Sequence, residues 1–296
     1  MKLHELGEDR LVQQLVKRLK KNRHVVAGPG DDCAVVAAPE KGRLLLFKTD
    51  CVVEGVHFLP NEKPVAVGWK AMARTLSDFA AMAGRPRYAL VTLIAPALRE
   101  VRWTMEVYRG LQRVADRFDV TVVGGETSSI EGPAIVSISA IGTVKKKRWV
   151  SRRGGKVGDR LYVTGRLGGS RRHKHLHFIP RIVEARWLAA HFRIHAMMDL
   201  SDGLGADLPR LAMASGLGFA VEEKNLPRTR DSSTAEAIND GEDYELLFAV
   251  SPRDALALEN RWRTRFPRLP LTCIGRFEEK SVSRKQKFGD GYVHFQ

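Results

Sequence analysis

Residues 64–90 read PVAVGWKAMARTLSDFAAMAGRPRYAL. Trp69, Met72, Leu76, Phe79 and Ala83 recur at intervals of three and four, the period of one face of an α-helix. Gly84 and Pro86 end the pattern. Residues 88–94 then turn to a short apolar run that reads as a strand. Upstream, strand-like runs at 33–37 and 44–48 follow a turn at 28–32, where glycines permit a tight backbone. The first 25 residues read as one helix, with Leu11, Leu15 and Leu19 at helical spacing. Downstream come a helix at 101–118, a strand at 120–123 ending in Gly-Gly-Glu-Thr, and a strand at 134–144. The second half repeats the mixture, with strands at 160–164, 196–200 and 246–250 and helices at 180–190 and 204–215. This alternation predicts a mixed α/β (α+β) fold. The basic, glycine-containing stretch 148–158 is the expected boundary, giving an N-terminal domain over 1–148 and a C-terminal domain over 149–296.

A chain of 296 residues is long enough for a sizeable core, and 44% hydrophobic with 28% charged residues is an ordinary globular composition. No apolar run reaches the length of a membrane span, and acids interrupt the N-terminal apolar residues, so neither a membrane helix nor a secretory signal is expected. Cys33, Cys51 and Cys273 form no CxxC and no Cys/His cluster, which argues against a disulfide scaffold or structural zinc and fits a reducing cytoplasm. The net charge of +15 favours anionic partners such as a nucleotide or a phosphorylated metabolite. Basic residues gather at 145–148 with Arg152 and Arg153, at 171–175 and at 284–287. Each cluster taken alone reads most simply as solvated surface. No helix-turn-helix, zinc-finger spacing or RNP-type aromatic string accompanies them, so nucleic acid is not the expected partner.

The informative feature is the position of the acids. Six segments set a carboxylate beside Gly, Ser or Thr near the end of an apolar run: Asp31-Asp32, Asp50, Asp78, Glu126, Asp199 with Asp202, and Glu242-Asp243. Gly-Asp-Asp by itself is commonly a turn or a helix cap, and Ser201 or Asp202 could cap the helix that follows. Asp78 is different, because it lies in a helix among apolar and small neighbours. An unpaired buried carboxylate costs several kcal/mol, so Asp78 must be paired, hydrogen-bonded or metal-bound. Asp199, ending an apolar strand, falls under the same argument. Several such acids in a strongly basic chain suggest hard cations held by oxygen ligands, the manner in which Mg²⁺ is bound together with substrate phosphates. There is no P-loop, no dinucleotide fingerprint, no protein-kinase motif set and no GxSxG.

In order along the chain, GDDCAVV, TDCVVEGVHF, GWKAMARTLSDFAAMAGRPRYAL, VVGGETS, GDRLYVTGRLGGS, MMDLSDGLGADLPRLAMASGLG and GEDYELLF resemble the thiamine-monophosphate kinase family of the aminoimidazole-ribonucleotide-synthetase-like superfamily. The resemblance runs from about Glu5 to Phe295. It implies ATP-dependent phosphorylation of thiamine monophosphate to thiamine diphosphate by Mg²⁺-assisted, direct in-line transfer, with several Mg²⁺ ions and ATP as co-substrate. It also implies a homodimer whose N-terminal strands complete a barrel across the two-fold, and a nucleotide cleft between the domains. By the same resemblance Asp32, Thr49, Asp50, Asp78, Glu126 and Asp199 match metal positions, with Asp202 a further one. Tyr108, Gly125, Glu126, Arg152 and Ser201 match ATP contacts, and His57, Glu242 and Tyr292 match substrate contacts. No catalytic base is implied. Without the family pattern, His57 reads as a satisfied core histidine and Tyr292 as packing.

Four features depart from that pattern. Glu126 stands where the family usually has Asp. The segment between Ser170 and Pro180 lacks a helix of roughly 20 residues, and His177 and Phe178 occupy expected arginine positions. The stretch 226–240 is short, and Pro209 lies in the helix after Ser-Asp-Gly. Two alternatives stand beside the kinase: a superfamily enzyme acting on a different phosphorylated small molecule, and a nucleotide-binding module without turnover.

Overall fold

The structure is a computed structural model that describes residues 2–20, 22–280, 288, 289, 291 and 292; the basic run at 284–287 lies outside them. The first half runs α1 (Leu3–Leu6), α2 (Glu8–Val16), β1 (Val25–Ala27), β2 (Ala34–Ala37), β3 (Arg43–Val53), α3 (Pro64–Ala81), β4 (Arg85–Ala95), α4 (Val101–Phe118), β5 (Thr121–Ser129) and β6 (Ile135–Lys145). The second runs β7 (Arg160–Thr164), α5 (Ser170–His173), α6 (Ile182–His191), β8 (Ile194–Asp199), α7 (Leu204–Ser215), β9 (Gly218–Val221), α8 (Thr234–Asn239), β10 (Leu246–Val250), α9 (Pro252–Arg265) and β11 (Leu271–Glu278). Two sheets result, ordered β1-β2-β3-β6-β4-β5 and β8-β10-β7-β11-β9. Every pairing is antiparallel except β4 with β5, which α4 connects as a crossover. The mixed α/β class expected from the sequence is the one observed.

The apolar stripe of α3 understates its burial. The helix packs against β3 and β6 on one side, and against α4, α6 and β8 elsewhere. Nearly its whole circumference is buried, including Lys70 and Asp78. One hydrophobic core therefore runs through both halves, joining Leu46, Leu76, Phe79 and Ile138 to Phe178, Leu188, Met197 and Phe248. A second, smaller core lies between the other face of the second sheet and α7. Helices α3 and α4 approach until their backbones touch: a Cβ on Gly68 would lie 1.9 Å from the Val107 carbonyl oxygen, and one on Gly110 1.9 Å from that of Val65.

The structure corrects several boundaries. The single N-terminal helix breaks at Gly7 (φ 75°) and ends at Val16. Leu15 and Leu19 remain more than half exposed, so the leucine stripe meets no core there. Strand β5 continues through Gly124 and Gly125 to Ser129, where the sequence suggests a turn. A Cβ at Gly125 would sit 1.8 Å from the Val91 carbonyl oxygen, so glycine is what lets β5 lie against β4. Pro209 falls in the second turn of α7, which continues past it without the hydrogen bond proline cannot donate. The short strand β9, helices α8 and α9, and β11 carry no clear periodic signal and are not anticipated. No helix among the described residues is long and apolar enough to cross a membrane.

Candidate active site

Strand alternation places Leu44, Leu46, Lys48, Asp50 and Val52 on the face of β3 that covers α3. Asp78, in the last turn of α3, meets that face. Asp32 arrives from the loop before β2, and Asp199 from the end of β8. Carboxylate oxygens of Asp32, Asp78 and Asp199 lie within 4.8 Å of one another, and all three residues are buried. Three cations hold this set together. Lys48 Nζ is 2.8 Å from Asp78 and 3.7 Å from Asp50. Arg74, one helical turn before Asp78, lies 3.4 Å from Asp50. Arg152 pairs with Asp32 at 2.6 Å, and its backbone N–H donates to Asp31 at 2.7 Å. Ser77 donates its hydroxyl to Asp199 at 2.5 Å.

Burial pushes Asp78 well above the carboxylate range; Lys48 pulls against that push, and Asp50, Asp199 and Asp32 add to it. Burial and the charge of Asp32 raise Asp199 to about 6. Asp50 goes the other way, because Lys48 and Arg74 outweigh its desolvation. The donors are all oxygen, they converge, and burial opposes the charged form of two of them. That chemistry fits a hard divalent cation such as Mg²⁺.

A pocket adjoins this cluster. His57, Ser201, Asp202, Glu242 and Tyr292, far apart in sequence, all line it. Arg74 lines it too, so one guanidinium faces both the pocket and Asp50. Glu242 is fixed by the fully buried Lys70 at 2.6 Å and by His175 Nδ1 at 3.3 Å. Burial opposes its charge, yet the His175 hydrogen bond and the Lys70 ammonium hold it down at about 2. Glu242 and Tyr244 both adopt positive φ (66° and 50°), strain of the kind that concentrates at functional sites. His57 Nδ1 accepts from the Val53 N–H at 3.1 Å, which leaves Nε2 as the protonated nitrogen of the neutral ring. The Tyr292 N–H donates to the Asp202 carbonyl at 2.8 Å, and the Arg171 guanidinium lies 6.0 Å from its ring centroid.

Ser201 and Asp202 do not cap α7 with their side chains. Buried Asp207 instead reaches back from the first turn and accepts from both backbone N–H groups, at 3.0 and 2.9 Å. Burial and the neighbouring Asp202 charge raise Asp207 to about 8. Asp202 itself pairs with Arg210 at 2.5 Å and faces the pocket, outside the three-acid cluster.

The structure separates other predicted site residues from this cluster. Thr49 lies on the outer face of the first sheet, its hydroxyl 3.0 Å from Ser139 Oγ. Glu126 is in register with Thr92 and Ser137 on that outer face, and is exposed. Gly125, one residue earlier, is level with Asp50 across the sheet. Tyr108 is half-buried on α4, packed against the larger core.

Several residues that shape the site carry weaker signals. Lys48 could have been found from its place two residues before Asp50 on one strand face, and Arg74 from its place one turn before Asp78. Lys70, Asp207 and Tyr244 have no comparable local signature. The basic cluster 171–175 is not a uniform solvated surface, since Arg171 faces Tyr292, Arg172 pairs with Glu236, and His175 is buried against Glu242. Lys174 joins Arg181 on Glu245, where Arg181 makes two hydrogen bonds of 2.7 Å. Phe178 stacks on Tyr244 with ring centroids 4.0 Å apart, and its carbonyl accepts from Trp69 Nε1 at 2.7 Å.

Residues 30–144 match the family described as AIR synthase related protein, N-terminal domain, and residues 174–267 match the corresponding C-terminal domain. The fold and its buried acid cluster thus define a protein of the AIR synthase related class. The chain is 34% identical to the thiamine-monophosphate kinase of Rhodopirellula baltica over 97% of each chain, and 33% identical to that of Aquifex aeolicus over the whole of both. Among solved structures, AaThiL complexed with AMPPCP and TMP superposes with a TM-score of 0.84 at 32% identity, covering 99% of each chain. The chain belongs to the thiamine-monophosphate kinase family.

The raised carboxyls set a pH dependence. Asp199 holds its proton more tightly in the fold, at about 6, than in the unfolded chain, at about 3.9. Its contribution to stability is complete below the unfolded value and is lost as pH rises through the folded one. Asp243, raised to about 7, and Asp207 act with the same sign at higher pH. Denaturant unfolding in EDTA is expected to show stability falling from about pH 4 to about pH 8. Asp199→Asn should flatten the part of that decline centred near pH 5–6; an unchanged profile in this variant would refute the assignment.

Proposed function

We propose that this protein transfers the γ-phosphoryl group of ATP to the phosphate of thiamine monophosphate, releasing ADP and thiamine diphosphate. One observation carries the reading: Arg74 pairs with Asp50, which Lys48 links to buried Asp78, and Arg74 also lines the pocket of His57, Glu242 and Tyr292. A donor phosphate chain at the acids and an acceptor phosphate in the pocket would meet at that guanidinium. The related AaThiL structure, with AMPPCP and TMP bound together, supports the same pair of ligands.

Transfer between two phosphates needs charge neutralisation and alignment more than a covalent nucleophile. Asp32, Asp50, Asp78 and Asp199 would hold Mg²⁺, which when bound neutralises phosphate oxygens and fixes their approach. Lys48, Arg74 and Arg152 keep the acids in place and offer further positive charge to the phosphates. The acceptor phosphate is already ionised, so no general base is required. Glu242, kept anionic by Lys70 and His175, and the ring of Tyr292 suit a cationic thiazolium. Tyr108, Gly125, Glu126, Arg152 and Ser201 are the proposed nucleotide contacts, with residues 1–148 and 149–296 as the two domains.

The protein is further proposed to act as a homodimer through the outer face of the first sheet. Phe47, Tyr88, Leu90, Val123 and Ile141 expose a contiguous apolar surface there, between 38% and 56% accessible, and β5 is an edge strand. Pairing of that face would bring Thr49 and Glu126 into the seam, beside a second copy. Light scattering at low micromolar concentration should give twice the 33.1 kDa chain mass; a monomer would refute the assembly.

ADP release that depends on both thiamine monophosphate and Mg²⁺ is the primary test. Asp50→Asn and Asp78→Asn should each lower it by about a hundredfold or more while leaving the fold intact. Turnover with another phosphorylated acceptor but none with thiamine monophosphate would transfer the assignment to a different substrate.

Tyr292→Ala should raise KM for the acceptor about 3- to 30-fold and leave KM for ATP nearly unchanged. Equal shifts in both would make Tyr292 structural packing.

A further inference from the structure

The basic cluster at 145–148 finds no role in the chemistry above. It contributes to a second cavity at the other end of the first sheet. Arg43, at the start of β3, lies seven residues from Asp50, roughly 23 Å along the strand at ~3.3 Å per residue. Arg43, Arg85, Lys145, Arg148 and Arg186 line this cavity, and no carboxylate does. They come from β3, β4, β6, the turn after it and α6, so four separate stretches of chain aim cations at one hollow.

The arrangement is electrostatically costly. Arg43 and Lys145 are direct cross-strand partners, a placement in which like charges are destabilising. Arg43 is relieved by Glu40 at 2.7 Å, and Arg85 by Asp119 at 2.6 Å, which Arg87 shares at 3.3 Å. Lys145, Arg148 and Arg186 have no ion-pair partner among the described residues. Partial desolvation, together with the charges of Arg85, Arg87 and Arg43, lowers the proton affinity of the surface-exposed Arg186, so the field at its guanidinium is positive. Trp187 supplies an aromatic wall. The cavity measures about 290 Å³, at the small end of the ~300–1,000 Å³ typical of small-ligand sites.

We propose that this cavity binds a small anion built of linked phosphates, either inorganic polyphosphate or the phosphate chain of a nucleotide, at a site separate from the candidate active site. Multiply charged phosphate is the chemistry that neutralises several converging guanidinium and ammonium groups at once. A concave ring of cations suits a compact ligand. An extended nucleic-acid backbone is instead tracked by a basic stripe or groove. The inference does not rest on the acceptor assigned above.

The test is calorimetric titration of the full chain with inorganic tripolyphosphate, in EDTA and at low ionic strength, so that no metal recruits phosphate to the acids. One tripolyphosphate per chain is expected, with affinity falling as salt is raised. Arg186→Glu and Arg148→Glu, both at exposed positions, should each weaken binding by about tenfold or more, with Arg186→Gln intermediate. Thermal melts of the variants check that the fold is kept. A parallel titration with ATP distinguishes the sources: affinity well above that for tripolyphosphate, and equally sensitive to Arg186→Glu, assigns the nucleotide, whereas equal affinity assigns the bare phosphate chain. Absence of binding at low salt, or binding that survives both charge reversals, overturns the proposal. Tighter binding of a short RNA oligonucleotide than of either anion, lost in the same variants, also overturns it and makes the surface a nucleic-acid contact.

Discussion

Three buried carboxylates, Asp32, Asp78 and Asp199, converge within 4.8 Å with Asp50 close by, and the surrounding structure is arranged to hold them there. Lys48, Arg74 and Arg152 supply three compensating charges, each from a different element. Desolvation still drives Asp78 and Asp199 toward protonation. Such a cluster gains nothing for the fold, since apolar residues of similar volume pack there without penalty. Such a site suits a ligand that brings positive charge of its own. The same contacts also tie the halves of the molecule together: Arg152 crosses to the loop of Asp32, and Ser77 in α3 crosses to Asp199 in the second sheet.

Helix α3 makes this geometry possible. It is sandwiched between the two sheets and so presents functional side chains in two directions. Asp78 and Arg74 meet β3, while Lys70 reaches the His57 carbonyl, His175 and Glu242 beside the pocket. Close backbone contact at Gly68 and Gly110 locks α3 against α4 and sets its height over the sheet. Displacement of α3 would disturb the acids and the pocket together. The larger core is continuous across both halves for the same reason.

The segment between Ser170 and Pro180 and its flanks anchor the residues behind the pocket. Phe178, at an expected arginine position, stacks on Tyr244 and bonds Trp69 through its carbonyl. Arg181 and Lys174 secure Glu245, Gly168 and Lys174 secure Asp243, and His175 secures Glu242. Each acid of the 242–245 stretch is thus anchored, with Lys174 shared by Asp243 and Glu245, and only Glu242 lines the pocket. Local sequence could not rank these three acids, because what distinguishes them is which partner arrives from elsewhere.

The amino-acid sequence by itself determined the fold class, the central helix, most strands and the acids that converge. Periodicity reports one residue's neighbours along the chain, and a carboxylate among apolar residues must be paired wherever it ends up. Tertiary structure decided what those signals could not. It buried α3 on nearly every side where the pattern suggested one face, and it left Leu15 and Leu19 uncovered although their spacing matched a buried stripe. It also chose which face of β3 meets α3, so that Asp50 and not Thr49 joins the acids, and it drew Glu126 to the side of Thr49. The physical reason is common to all of these: burial, electrostatic compensation and facing depend on long-range packing between segments, and no local pattern encodes which segment will arrive.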